Sequence, residues 1–428
     1  MENIYLAISI DGVSVSAMAA RKTDKGQIVP IATETIKVDL QSTHNGIITP
    51  TDELCMAVSK LPNTILNKIP GTNNEIKGLY IGVMPRSLHG EPLEARKDFQ
   101  GKHRITDRDI ENLGSEIAKQ SNNKVLKLYH NGYERDGVEI LNVRNEIADT
   151  LVRKSLAVVV TPNNDVDYTS LMNKTTKLHG VIPTHIAIGK LATDEEQRME
   201  GVLTMHIGHQ STGLTYFCND MVMATAVVPF GFDHAIHDMT LDEVKDDAIT
   251  KLLQNSNMKY NWEKEDVAVS FKNDPTHKFH IAKGIKAMMA RMQEIFQMGL
   301  DRMLASLNID QLEVPVVLTT AVVDSDDFCD SFSEQIKHEC MRGNVAHKLT
   351  DDTFEKYVYI PLVSLINEAE ENCIFENELI IEEPKDEDEV VIVEGENEDD
   401  KKGRKKKKIF DIFKGGKTLF DGTEDNEH

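Results

Sequence analysis

Four histidines fall in pairs at the spacing that can hold a metal: His206 with His209, and His234 with His237. On a helix that spacing turns two imidazoles to one face; at a strand turn it does not, so these pairs are expected to be incidental and no metal site is expected. A second chemistry is written in residues 401–428. Lys405, Lys406, Lys407 and Lys408 precede a segment in which Ile409, Ile412, Phe413, Leu419 and Phe420 share one arc of a helix, with Phe410 at its edge. Each basic residue near an anionic leaflet contributes ~1 kcal/mol and each buried Phe or Ile ~1.5–3 kcal/mol. The segment is therefore predicted to be a basic amphipathic helix that binds anionic lipid reversibly. The five cysteines include no CxxC pair, which argues against both a zinc ribbon and a disulfide framework.

The elements that would position these groups belong to a chain of 428 residues with a net charge of −23. An acidic excess of that size repels a phosphate backbone, so nucleic acid is not an expected partner. Residues 379–400 form an acidic, low-complexity run with VVIV at 390–393 as its apolar relief, and are predicted to be a disordered linker. No apolar run approaches the ~20 residues that cross a bilayer, and the first residues lack a signal-peptide pattern, so a cytoplasmic protein is expected.

Along the body, 4–10, 13–20 and 28–36 read as strands separated by turns at Asp11-Gly12 and Asp24-Lys25-Gly26. Leu54, Val58, Leu61 and Ile65 then recur on one helical face before a strand at 79–84. This is half of a ribonuclease H-like unit. Between Pro85 and Asn163 a polar stretch leads to a capped helix from Thr106 and three strands, an α/β insert. A helix from Asp167 is expected to end at Gly180, and 238–300 to be largely helical with a polar break at 255–275. The methionines of 281–307 are expected in the core. A strand–hairpin–helix unit occurs twice, near 4–84 and near 201–318. The string HIGH at 206–209, seen also in class I aminoacyl-tRNA synthetases, has no preceding Rossmann strand and no KMSKS partner, and is taken as coincidence.

In this order, Ile105-Thr106-Asp107-Arg108-Asp109-Ile110, the segment 201–208, Pro229-Phe230-Gly231 with 235–239, and 316–319 resemble the motifs of the FtsA family of bacterial cell-division proteins, in the actin/Hsp70 superfamily. The resemblance implies an α/β actin-like fold of two lobes. It divides the chain into subdomain 1A (1–84), an inserted 1C (85–163), 2A (164–237), 2B (238–290), the rest of 2A with the return to lobe 1 (291–378), the linker (379–400) and the membrane-targeting tail (401–428). It implies tethering of FtsZ filaments to the inner face of the cytoplasmic membrane. The expected partners are the FtsZ C-terminal tail on 2B, other divisome proteins, anionic lipids and further copies of the chain in actin-like filaments.

The resemblance also places a nucleotide site at Asp11, Gly12, Ser14, Gly208, Ser211, Thr212, Arg291 and Thr319. The family's pattern is broken there: Ser9, Asp11 and Ser14 replace an acid, a glycine and a lysine of the first phosphate turn. His206-Ile207-Gly208-His209-Gln210-Ser211-Thr212-Gly213 has lost both acids and two glycines of the second. Thr320-Ala321 replace the adenosine glycines, and Met289 replaces the Glu that precedes Arg291. A scaffold with no catalytic residue and no bound cofactor is expected, ATP with magnesium being what the fold would otherwise hold. The alternatives are a superfamily ATPase or chaperone with a rearranged site around Asp11, Gly208 and Thr319, and a pilus or secretion scaffold of the PilM kind.

Overall fold

The structure, a computed structural model, describes residues 3–69, 75–161, 171, 178–240, 246–254, 260, 268–271, 274–351, 354 and 357–369. The chain opens with a meander of β1 (Asn3–Asp11), β2 (Ser14–Lys22) and β3 (Ile28–Lys37). Residues 4–10 of β1 are buried without interruption, as expected of a central strand covered on both faces. Thr51 caps α1 (Asp52–Leu66), its hydroxyl accepting the Leu54 N–H at 3.2 Å, and the helix buries Leu54, Val58, Leu61 and Ile65. β4 (Glu75–Val83) then runs parallel to β1.

The polar stretch that follows is a 16-residue strand, β5 (His89–Arg104). It covers one face only, so buried Gly90 and Ala95 stand among charged outer positions and the apolar signal is thin. Next come α2 (Asp107–Gln120), β6 (Lys124–Arg135), β7 (Val138–Ile140) and β8 (Ile147–Val160). Thr106 and Asp109 close a reciprocal capping box on α2. The helix lays Leu113 and Ile117 against Ala95, Ala148 and Leu151 in a small core of its own.

β9 (Gly180–Pro183) returns to the first sheet beside β4. Gly180 thus begins a strand; the helix expected before it lies mostly outside the described residues. α3 (Thr184–Ala192), buried along almost its whole length, and the short α4 (Glu195–Glu200) lead into a second meander, β10 (Val202–Ile207), β11 (Thr212–Cys218) and β12 (Met221–Val228). α5 (Phe232–Thr240) and α6 (Asp246–Leu253) precede a hairpin, β13 (Ala268–Phe271) with β14 (Asp274–His280), within a region expected to be helical with a polar break. α7 (Ile281–Leu307) buries Met288, Met289, Met292 and Met303 in the second core, as their helical spacing predicts. β15 (Val316–Thr320), α8 (Asp326–Ile336), β16 (Cys340–Arg342) and α9 (Ile360–Glu368) complete the described chain.

The sheets repeat one topology. The first has the order β3-β2-β1-β4-β9, and the second contains β12-β11-β10-β15-β16, the same order with the same pairing senses. Two meanders, each extended by two parallel strands, make the duplicated α/β architecture of an actin-like fold. The second sheet continues past β12 through one pair, Ala226 opposite His89, into β5-β8-β6-β7. Among the described residues no helix is long and apolar enough to cross a membrane. The linker and the basic tail read from the sequence lie outside the described residues.

Candidate functional site

The β1–β2 and β10–β11 turns face each other, where an actin-type fold would hold phosphates between them. Asp11 pairs with Ser14, which leaves Gly12 and Val13 as a two-residue turn with Gly12 at φ 56°. The Ser14 hydroxyl donates to the Asp11 carbonyl at 3.2 Å. Across the gap, the His209 backbone N–H, which in such a turn would point at an anion, donates to the Asp11 carboxylate at 3.1 Å. The Gly208 N–H is likewise engaged within its own turn, on the Ser211 carbonyl at 3.0 Å. α5 begins just behind, and its first N–H groups, Phe232 and Asp233, donate to the Gly208 and His209 carbonyls at 2.8 and 3.1 Å. Two turn amides and the first two helix amides, groups of the kind that hold an anion, are thus satisfied from within the chain.

Side chains complete the closure. His209 Nδ1 lies 2.9 Å from Asp233 Oδ1, and Gln210 donates to the other Asp233 oxygen at 2.8 Å. Burial pulls the His209 pKa down, but the Asp233 hydrogen bond and the charges of Asp11 and Asp233 outweigh it and hold it at about 9, so the ring is an imidazolium at neutral pH. Burial pushes the Asp11 carboxyl above its ordinary value, against the pull of His209. Gln210 also accepts the Asn45 N–H at 3.2 Å, Ser211 donates to the Met84 carbonyl at 3.0 Å, and Thr43 donates to the Gly12 carbonyl. Gly231 is required here, because a Cβ would overlap the Gly208 and His209 carbonyls.

Between these groups and Ser9, Thr184 and Pro361 there remains a cavity of about 30 Å³. That is room for a water or two, against the roughly 300–1,000 Å³ of a small-molecule site. As these residues fill it, the space between the two turns is far smaller than a nucleotide. On the adenosine side, Thr320 spends its hydroxyl on its own turn, accepting the Val323 N–H at 2.8 Å, and the space beside it is about 10 Å³.

Of the residues singled out in the sequence, Asp11, Gly12, Gly208 and Ser211 come together, and Ser14 braces the first turn. Thr212 holds the Phe230 carbonyl at 2.8 Å, and Thr319 reaches the site through a 3.0 Å hydrogen bond to His206, a ring that burial keeps neutral with a pKa of about 3. Arg291 stands apart, bound to Asp238 and Glu294 at 2.5 and 2.6 Å with its guanidinium over Phe230. The histidines have separate partners: His234 accepts the Gly231 N–H at 3.1 Å and contacts Asn45 at 2.8 Å, while His237 is exposed. Among the described residues no group of His, Cys, Asp or Glu is arranged to hold a metal. Asp233, Thr43 and Asn45 escaped the sequence reading, and Gln210 entered it only as part of the second turn. Asp233 follows Pro229-Phe230-Gly231 as a first-turn acid, which marks a helix start and says nothing of a histidine 24 positions earlier.

No family model matches the chain. Among curated proteins it is 20% identical to the cell division protein FtsA of Porphyromonas gingivalis (strain ATCC BAA-308 / W83) over 245 residues, 56% of this chain and 51% of that protein. The chain thus spans about half the length of the curated relative it matches. Among solved structures, a PilM–PilN type IV pilus biogenesis complex aligns with a TM-score of 0.58 at 10% identity, covering 85% of this chain and 97% of the other. MreB5 of Spiroplasma citri aligns with a TM-score of 0.40 at 9% identity, covering 84% and 94%. The duplicated sheet order and the PilM alignment agree on the fold, and the chain is an actin-fold protein similar in sequence to FtsA.

Proposed function

We propose that the protein is an FtsA-like cell-division scaffold that joins FtsZ filaments to the inner face of the cytoplasmic membrane without turning over ATP. The observation that carries this reading is the cleft of an actin fold closed by Asp11, His209 and Asp233, which leaves the fold its role as a rigid, partner-binding body. The FtsA similarity supports the division role, and the basic amphipathic segment 401–420 supplies the membrane attachment. In this reading 238–290 receives the FtsZ C-terminal tail, and the insert meets later division proteins or neighbouring copies.

The test is co-sedimentation with phosphatidylglycerol-containing liposomes, comparing the full chain with one ending at Asp400, each with and without FtsZ. The full chain is expected to pellet and carry FtsZ with it, and the shortened chain to stay in solution. Equal behaviour of the two chains would remove the membrane role, and pelleting without FtsZ would remove the tether.

A further inference from the structure

Asp11 precedes the glycine of the first turn, His209 follows the glycine of the second, and each is packed on the opposite turn. The two oxygens of the Asp11 carboxylate stand 3.1 and 3.4 Å from the His209 backbone nitrogen, and among the described residues the carboxylate takes no bond within its own turn. The glycines permit this approach. A Cβ on Gly12 would lie 2.6 Å from the His209 Cβ, and one on Gly208 would lie 3.2 Å from Asp11 Oδ1. Glycine in an anion-binding turn leaves room for the anion; here each glycine's room is taken by a side chain of the other turn.

Three neutral bonds cross between the same two parts of the molecule. The Asn45 N–H donates to Gln210 at 3.2 Å, Asn45 Oδ1 lies 2.8 Å from His234 Nε2, and the Ser211 hydroxyl donates to the Met84 carbonyl at 3.0 Å. The Asp11 bond adds a full charge to this set, and charge-assisted bonds are the stronger kind. Asp11 and His209 are half-buried, so solvent reaches the place. We propose that the Asp11 carboxylate is a built-in anion, holding the place on the second turn that a bound anion would take and tying the two lobes together without a ligand. The inference shares the closed cleft with the reading above and does not depend on the division role. The shape that partners meet is then set by the chain itself, and a free carboxylate finds a place only when Asp11 is removed.

Chemical rescue of the full chain, read by urea denaturation, tests this. Asp11→Ala removes one carboxylate and leaves a void of formate's size. With a Kd of about 10 mM, sodium formate at about 100 mM should raise this variant's folded-to-unfolded ratio roughly tenfold over sodium chloride at the same concentration. The unaltered protein and Asp11→Asn, whose side chain still fills the place, should gain no more from formate than from chloride. Asp11→Asn also supplies a second reading if Asp11→Ala does not fold: the His209 imidazole, raised in part by the Asp11 charge, should titrate lower by NMR than in the unaltered protein. An Asp11→Ala protein indifferent to formate would overturn the proposal. So would an equal gain in all three proteins, which means binding elsewhere, or a His209 titration that Asp11→Asn leaves unmoved.

Discussion

The cleft between the lobes and a groove where the start of β5 meets β12 and α7 are both lined by polar and apolar groups, and they differ in what the charged ones face. In the cleft the chain has supplied its own anion and its own cation, and about 30 Å³ is left. In the groove the guanidiniums of Arg86 and Arg302 face solvent and about 550 Å³ is left. A charge answered from within closes a site and stabilises the fold; one left unanswered keeps a surface open and contributes little to stability.

The sharpest way to break this contrast is Gly231→Ala. Its Cβ would press on backbone carbonyls that cannot yield without moving the second turn, so chemical denaturation should show a loss of about 3 kcal/mol. His209→Ala removes a charge-assisted bond and leaves Asp11 and Asp233 facing each other, at a cost of about 2 kcal/mol. The pH dependence separates this from general damage. The folded pKa of His209, about 9, lies above the ordinary 6.5, so its contribution is complete below about pH 6.5 and is lost as pH rises through about 9. Melting temperatures of the unaltered protein should fall across that window, and those of His209→Ala should fall less.

At the groove, Arg86→Ala should change stability by no more than about 0.5 kcal/mol, because the side chain is exposed and holds no carboxylate among the described residues. The smallest effect is predicted for millimolar ATP with magnesium, which should leave the melting curve unmoved. Binding at a hundredfold excess over Kd would add about 2.7 kcal/mol, and a shift of that size would reopen the ATPase alternative.

The sequence announces these regions unequally. β1, α1 and α7 were legible because each buries a continuous run or a regular stripe, such as Leu54, Val58, Leu61 and Ile65. β5 was not, since a strand with one covered face reads as polar when its outer positions are Glu94, Arg96 and Asp98 and its covered face includes Glu91 and Lys97. Asp11 and the Gly208 turn could be placed from the resemblance, but the bond that matters joins positions 198 apart and follows no local period. Asp233 was hidden for the same reason: its partner His209 sits across a whole meander. The groove has no motif, since it is made where three distant segments converge.

The nine-stranded sheet has one further consequence, a mechanical one. Its second-lobe strands and the insert share one ladder pair, Ala226 with His89, and β12 packs on β6 and β8 besides. α7 spans the joint like a clip, Arg302 gripping the Val227 carbonyl on one side and Ser306 the Gly90 carbonyl at 3.4 Å on the other. The insert is thus held to the second lobe by side-chain packing and by bonds from one helix more than by a shared ladder.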